Sequence, residues 1–158
     1  MHFKHPVSRG FVSPESSAVS AQMLVLIACC GKKLGHAAPA GQIYRSALFQ
    51  KSWRYALQRA PADRVRILSA QHGVLEPDRV IRPYDVTLNA MTPAGRRIWS
   101  TAVVRSLAAQ GWPDRIILLA GSRYREWTSQ APAGVDIEIP MAGMGIGQQL
   151  GFLTRLGC

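Results

Sequence analysis

The sequence predicts an α/β fold: a three-layer, doubly wound sheet of four parallel strands with helices on both faces. Three observations carry that expectation. Four apolar runs, at about 23–29, 65–70, 115–120 and 135–139, each end in a small or polar turn, as strands covered on both faces do. Stretches with helix-start and helix-stop residues separate the runs. The resulting order, β-α-β-(loop)-α-β-α-β-α, is that of an open parallel sheet. A length of 158 residues with 47% hydrophobic content fits one domain with a substantial core.

Residues 1–22 carry Ser, Pro, Gly and isolated charges without an apolar face, so they read as a flexible N-terminal extension. The domain then covers 23–158, and Met23 is a second candidate start. Met23-Leu-Val-Leu-Ile-Ala28 opens the first strand, and a loop at 30–43 rich in Gly, Ala and Pro follows, with His36 inside it. Ser46 is a helix cap, and the helix runs to about Ala60 with Leu48, Phe49, Trp53 and Leu57 on its apolar face. Pro61 follows its end, and Asp63-Arg64 lead into the second strand.

The segment 71–91 lacks a clean period, and a loop of that length in a compact domain is functional or disordered. Val74, Leu75, Val80, Ile81, Tyr84, Val86 and Leu88 argue that it is packed down. Thr92-Pro93 starts a helix over 93–109 that buries Ile98, Trp99, Ala102, Val103 and Leu107, and Gly111 stops it. A short helix at 122–130 holds Tyr124 and Trp127. After the fourth strand, a glycine-rich turn at 142–147 opens a last helix with Gln148, Gln149, Leu150, Phe152 and Leu153.

Charge points to the partner. Lys and Arg number 19 against 9 Asp and Glu, a formal charge of +10. Only Lys4, Lys32, Lys33 and Lys51 are lysines, and arginine's planar fork suits phosphate. A polyanion is expected, DNA ahead of RNA, or else a nucleotide. No apolar run reaches the ~18 residues of a membrane span, and no signal peptide is recognisable. Three cysteines, two of them adjacent and none in a C-x-x-C pair, suit a reduced, cytoplasmic setting.

No metal or cofactor is expected. Cys30 and His36 lack a second spaced pair, and Gly143-Met-Gly-Ile-Gly147 follows the last strand, with no ribose-binding acid after it.

In an open parallel sheet, ligands bind at the carboxyl ends of the strands. The turn Cys30-Gly31-Lys32-Lys33 combines thiol, close backbone approach and amines for phosphate. Thiols beside lysines have lowered pKa values, although Cys29 and Cys30 also suit a role as small buried hydrophobes. His72, before Gly73, is placed to donate a hydrogen bond to developing negative charge, or is a satisfied loop histidine. Asp85 follows Pro83-Tyr84 and is the candidate catalytic carboxylate. Its structural alternative is to accept backbone hydrogen bonds and pin the loop. Tyr44, Arg45 and Ser46 at the first helix join the binding set, with Arg82 and Tyr84. Gly143 brings backbone N–H groups to the rim, and Gln148 or Gln149 reads an amide or base edge.

These motifs, Cys30-Gly-Lys-Lys33, Tyr44-Arg-Ser-Ala-Leu-Phe49, Ser69-Ala-Gln-His-Gly-Val-Leu-Glu-Pro-Asp78, Pro83-Tyr-Asp85 and Gly147-Gln-Gln-Leu150, resemble an uncharacterised family of small bacterial and phage proteins over about 23–157. More distantly, the Cys-x-x-Lys turn and Tyr-Asp resemble a domain of archaeosine-type tRNA-modifying enzymes. The four-strand plan is similar to uracil-DNA glycosylases, whose Gln-Asp-Pro-Tyr and His-Pro-Ser-Pro motifs are missing here. The resemblance implies a uracil-DNA glycosylase-like fold by analogy. The expected function is an enzyme acting on a nucleobase in nucleic acid, cleaving or exchanging an N-glycosidic bond. Asp85 and His72 would be catalytic, Tyr44 or Tyr84 would stack on the base, and Lys32, Lys33, Arg45 and Arg82 would hold phosphates. Two alternatives differ in class: a hydrolase or transferase of a free nucleotide or nucleoside, and a non-catalytic nucleic-acid-binding module.

Overall fold

Strand β1 (Met23–Ala28) lies in the middle of the sheet, and every residue from Leu24 to Ala28 is buried. A computed structural model describes residues 22–158. The expectations for the N-terminal extension fall outside those residues, except at Gln22. Its N–H donates to Asp114 and its carbonyl accepts from Asp114 N and Arg115 N, so Gln22 is tied to the start of the strand that opens at Arg115.

The β1 strand pairs in parallel with β3 (Val65–Ser69) on one side and β6 (Arg115–Leu119) on the other, with Val25 opposite Val65 and Leu24 opposite Ile116. On the far side of β6, β7 (Asp136–Glu138) pairs in parallel. The four expected strands are all present. A fifth was not expected: β4 (Gly73–Leu75) folds back antiparallel on β3, giving the order β4-β3-β1-β6-β7. Gly73, at φ 71°, takes the left-handed conformation this reversal needs.

The segment 71–91 is therefore not one irregular loop. It holds β4, then β5 (Val80–Ile81), which pairs with β2 (Ala38–Pro39) in a small ribbon, then a 3-10 turn at Leu88–Ala90. The 30–43 loop contains β2 and a one-turn helix, α1 (Ala40–Ile43). Elements of two to four residues are too short to show a period.

Helix α2 (Ala47–Arg59) is capped by Ser46, whose Oγ accepts from Phe49 N at 3.2 Å. Its buried face is Phe49, Ser52, Tyr55 and Ala56. Leu48 and Trp53 are half-buried and Leu57 is exposed, a rotation from the expected stripe. Trp53 leans across Phe49 in a stacked pair, while Leu48 turns toward the cleft described below.

Helix α3 (Pro93–Gln110) starts at Thr92, whose Oγ1 accepts from Gly95 N, and ends at Gly111 with φ 85°. Arg96, Trp99, Ser100, Val103 and Leu107 are buried, one stripe at helical spacing. Ile98 and Ala102, expected in the core, lie on the neighbouring stripe, and Ile98 is 74% exposed. Arg96 takes their place because its charge is matched: the guanidinium donates to Glu126 and to the Met91 carbonyl. The segment Ser122–Gln130 is a 3-10 helix rather than an α-helix. Its Tyr124 and Trp127, three residues apart, eclipse on one buried face.

Right-handed crossovers require the β1-to-β3 helix on one face of the sheet and the next two connections on the other. The packing agrees: α2 contacts β1 and α4 (Ile146–Arg155), whereas α3 contacts the 3-10 helix at 122–130.

Candidate functional site

The chain leaves β1 toward one face and β6 toward the other, so their carboxyl ends diverge. This is the switch point of a doubly wound sheet, and a cleft of about 540 Å³ opens there, within the range of small-molecule sites. Its walls are Ala28–Gly31 and Lys33 from the end of β1, and Leu119–Tyr124 from the end of β6. Leu48 and Ser52 of α2, Asp85, Val86, Thr87 and Asn89, and Met141, Ile146 and Gln149 complete it.

Asp85 is the only carboxylate in this lining. Elsewhere Glu76, Glu126, Asp136 and Glu138 pair with arginines, and Asp114 accepts from Gln22 N. Asp85 is exposed and has no ion-pair or hydrogen-bond partner among the described residues. The loop is pinned by Tyr84 instead. The Tyr84 hydroxyl lies 2.7 Å from both the Tyr44 hydroxyl and Ser69 Oγ. Lys33 Nζ, at the cleft wall, sits 4.4 Å from the Tyr84 ring centroid, and the His72 ring meets Tyr84 edge-on. Burial pushes the Tyr44 phenol up to about 12 and raises Tyr84 further. Both are fixed neutral groups.

That geometry corrects the stacking expectation. Tyr44 is 1% exposed, and the Tyr84 ring is already covered by Lys33 and His72. Tyr44 offers no face to a base, and at Tyr84 a base would have to displace Lys33. His72 itself lies outside the cleft, in a separate hollow with Gln71, Met91, Trp99 and Ile98. Burial, and then Arg79, lowers its pKa. Its backbone N–H donates to Ser69 Oγ, and its ring Nε2 is buried without a partner.

Cys30 lines the cleft, yet burial raises its thiol pKa against the opposing pull of Ser46, so the expected activation by lysine is not realised. Its Sγ lies 3.2 Å from Ser46 Oγ. That hydroxyl also caps α2, which occupies Ser46 structurally. Gly31 has φ 68°, and a Cβ there would stand 3.0 Å from Ser46 Cβ, so the turn requires glycine.

Lys32 and Arg45 are exposed and tied to one rim, since Arg45 N donates to the Lys32 carbonyl at 2.7 Å. Arg82 is exposed three residues before Asp85. None of the three belongs to the cleft lining. Gly143, with φ 75° in the turn before α4, is outside it too. Gln148 folds back so that its Oε1 accepts from Gly145 N at 2.9 Å, and it lies outside the cleft lining. Gln149 lines the cleft instead: its Nε2 donates to the Met144 carbonyl at 2.9 Å, leaving Oε1 open there.

The profile of a family of unknown function, DUF6884, matches residues 24–155. The chain belongs to DUF6884. The matched range runs from β1 to the end of α4, so every wall of the cleft lies inside the DUF6884 domain. No curated protein matches the chain.

Sequence reasoning placed the end of the third apolar run at the rim with the other strand ends but assigned no site residue there. Gly121 cannot cap with a side chain, and the N–H groups of Ser122 and Arg123 have no acceptor among the described residues. Both residues line the cleft at the end of β6, where free N–H groups suit an anion or carbonyl, while the Arg123 guanidinium turns to Glu126 at 3.4 Å. The signal was the Gly-Ser-Arg that ends the third apolar run. Among the described residues, no helix is long and apolar enough to cross a membrane, and no cluster of His, Cys, Asp and Glu is arranged to hold a metal.

Proposed function

We propose that the protein is an N-glycosidase acting on a nucleotide within nucleic acid, with Asp85 as its catalytic carboxylate. One observation carries the reading: Asp85 is the cleft's sole carboxylate and has no ion-pair partner among the described residues of a protein with ten more cations than anions. A free carboxylate surrounded by donors suits a reaction that develops positive charge on the substrate and negative charge on its leaving group. Cleavage of a base–sugar bond does both.

In this scheme the C1′–N bond breaks and the base leaves with the electron pair. Asp85 stabilises the cationic sugar and accepts a proton from the water whose oxygen bonds to C1′. The departing base takes a proton from solvent and Asp85 returns the water's proton to solvent, so the products are free base and a C1′ hydroxyl. The N–H groups of Ser122 and Arg123, rather than His72, are the donors available to the leaving base. Gln149 Oε1 offers an acceptor to the base edge. Lys32, Arg45 and Arg82 lie outside the cleft lining, where they suit phosphates flanking the reacting nucleotide better than those of a free mononucleotide.

The test measures base release from single- and double-stranded DNA carrying a panel of modified bases. The expected result is release by the wild type and its loss, by at least about a thousandfold, in Asp85→Asn, with DNA affinity within about threefold. An active Asp85→Asn protein would remove the assigned catalyst. Tight binding without release of any base would favour a binding module.

A further inference from the structure

Lys33 is the one lysine in the cleft lining. Its backbone is fixed on both sides. Leu34 N donates to the Ile43 carbonyl and Arg45 N to the Lys32 carbonyl, and Lys33 itself bridges antiparallel to Tyr44. The side chain is half-buried, with Nζ 4.4 Å from the Tyr84 ring centroid and 5.8 Å from that of Tyr44. Ring faces hold an amine in place without satisfying its hydrogen bonds. Lys33 forms no ion pair among the described residues. Lys51, by contrast, is committed to the Cys158 carbonyl. Because Lys33 covers the ring of the residue directly before Asp85, amine and carboxylate line the cleft together, and they leave a gap between them rather than neutralising each other.

A positioned primary amine beside a carboxylate is equipped to condense with a carbonyl and then move a proton next to it. Base release creates such a carbonyl, since a sugar with a C1′ hydroxyl opens to an aldehyde. We infer that Lys33 is a nucleophile toward that aldehyde, making the protein a lyase that cuts DNA at the abasic site. The Lys33 amine, having lost its proton to water, adds to C1′, and the adduct loses water to leave a C=N bond. Asp85 then takes a proton from C2′ and passes it to solvent. The electron pair forms the C2′–C3′ double bond, and the C3′–O bond breaks with its pair going to the phosphate. Water hydrolyses the imine, which returns the amine and leaves an unsaturated aldehyde on one strand end and a phosphate on the other. The inference rests on the reading of the cleft as a base-release site, and it names abasic deoxyribose as a second substrate.

The test supplies that substrate ready-made: full-length protein is mixed with a duplex carrying one synthetic abasic site, with and without sodium borohydride, which reduces the imine to a stable amine. The wild type is expected to cut the strand without borohydride and to form a covalent complex with it, and peptide mapping places the adduct on Lys33. Lys33→Arg keeps a cation over the two rings but cannot form the imine, and lowers both trapping and cutting by at least about a hundredfold. A wild type that neither traps nor cuts would overturn the inference. So would an adduct mapped to another amine, a result that needs no variant, or undiminished trapping by Lys33→Arg. The two readings fail separately. Cutting at the ready-made site without release of any base from the modified panel sinks the base-release assignment and keeps the role of Lys33. Base release that leaves intact, untrappable abasic sites does the reverse.

Discussion

The hydroxyl of Tyr84 sits 2.7 Å from two others, those of Tyr44 and Ser69, and its ring carries Lys33 on its face. Asp85 follows directly and has no anchor of its own, so its place in the cleft is set by the residue before it. Tyr84→Phe keeps the ring and removes the bonds. Two buried hydroxyls then each lose a partner, which costs about 1–3 kcal/mol of stability. Because the loosened part carries the carboxylate, kcat for base release is expected to fall while KM changes little. Faster amide exchange over 85–89 would report the same loosening. Unchanged exchange and kcat would show that the loop is held by other contacts. Sequence alone singled out Asp85 by its place after Pro83-Tyr84, and Tyr84 only as a binding and stacking ring. Its anchoring role depends on Ser69 and Tyr44, residues 15 and 40 positions away, a relation that no local pattern encodes.

At the scale of elements, legibility follows length and punctuation. The β1 and β6 strands were readable as continuous apolar runs, and α2 and α3 through Ser46, Thr92-Pro93 and Gly111. The β4 strand and the β2–β5 ribbon were not, since two or three residues carry no period. On α3 the apolar residues outnumber the places in the core. Ile98 and Ala102 compete with Arg96 and Ser100, and the Arg96–Glu126 pair, formed with a distant element, decides which stripe turns inward. The turn that leaves β1 is the element on which the cleft most depends. In Gly31→Ala, the left-handed backbone and the 3.0 Å approach to Ser46 Cβ together cost about 2–3 kcal/mol. A lowered urea midpoint with unchanged slope is the expected result, and a midpoint equal to wild type would show that the turn relaxes freely.

The molecule as a whole is a cationic body with one open carboxylate in its cleft, and two predictions belong to that scale. Removing Lys32 and Arg45 together should weaken DNA binding and flatten its salt dependence by about 0.9 per lost phosphate contact in the log–log slope. Lys33 is a poorer probe because it also packs on Tyr84. An unchanged slope would place the DNA elsewhere. Stability should fall on the alkaline side. Tyr44, Tyr84 and Tyr124 are all raised by burial above the ordinary value of 10.0, so between pH 10 and 12 the unfolded chain gives up protons that the fold retains. Unfolding is therefore favoured as pH rises, by about 1.4 kcal/mol at pH 11 from Tyr44 alone. Denaturant titrations at pH 9 and 11 check the sign, which flat stability would contradict.

The most direct test of the central claim bypasses the unknown base. Asp85 is proposed to stabilise a positively charged sugar at the switch-point cleft. Duplex DNA bearing a cationic pyrrolidine in place of the reacting sugar mimics that state, and a neutral tetrahydrofuran analogue is its control. Wild-type protein is expected to bind the cationic duplex at least about a hundredfold more tightly than the neutral one. Asp85→Asn should abolish the preference while binding the neutral duplex as before. Equal affinity of the wild type for both, or a preference that survives in Asp85→Asn, would contradict the claim.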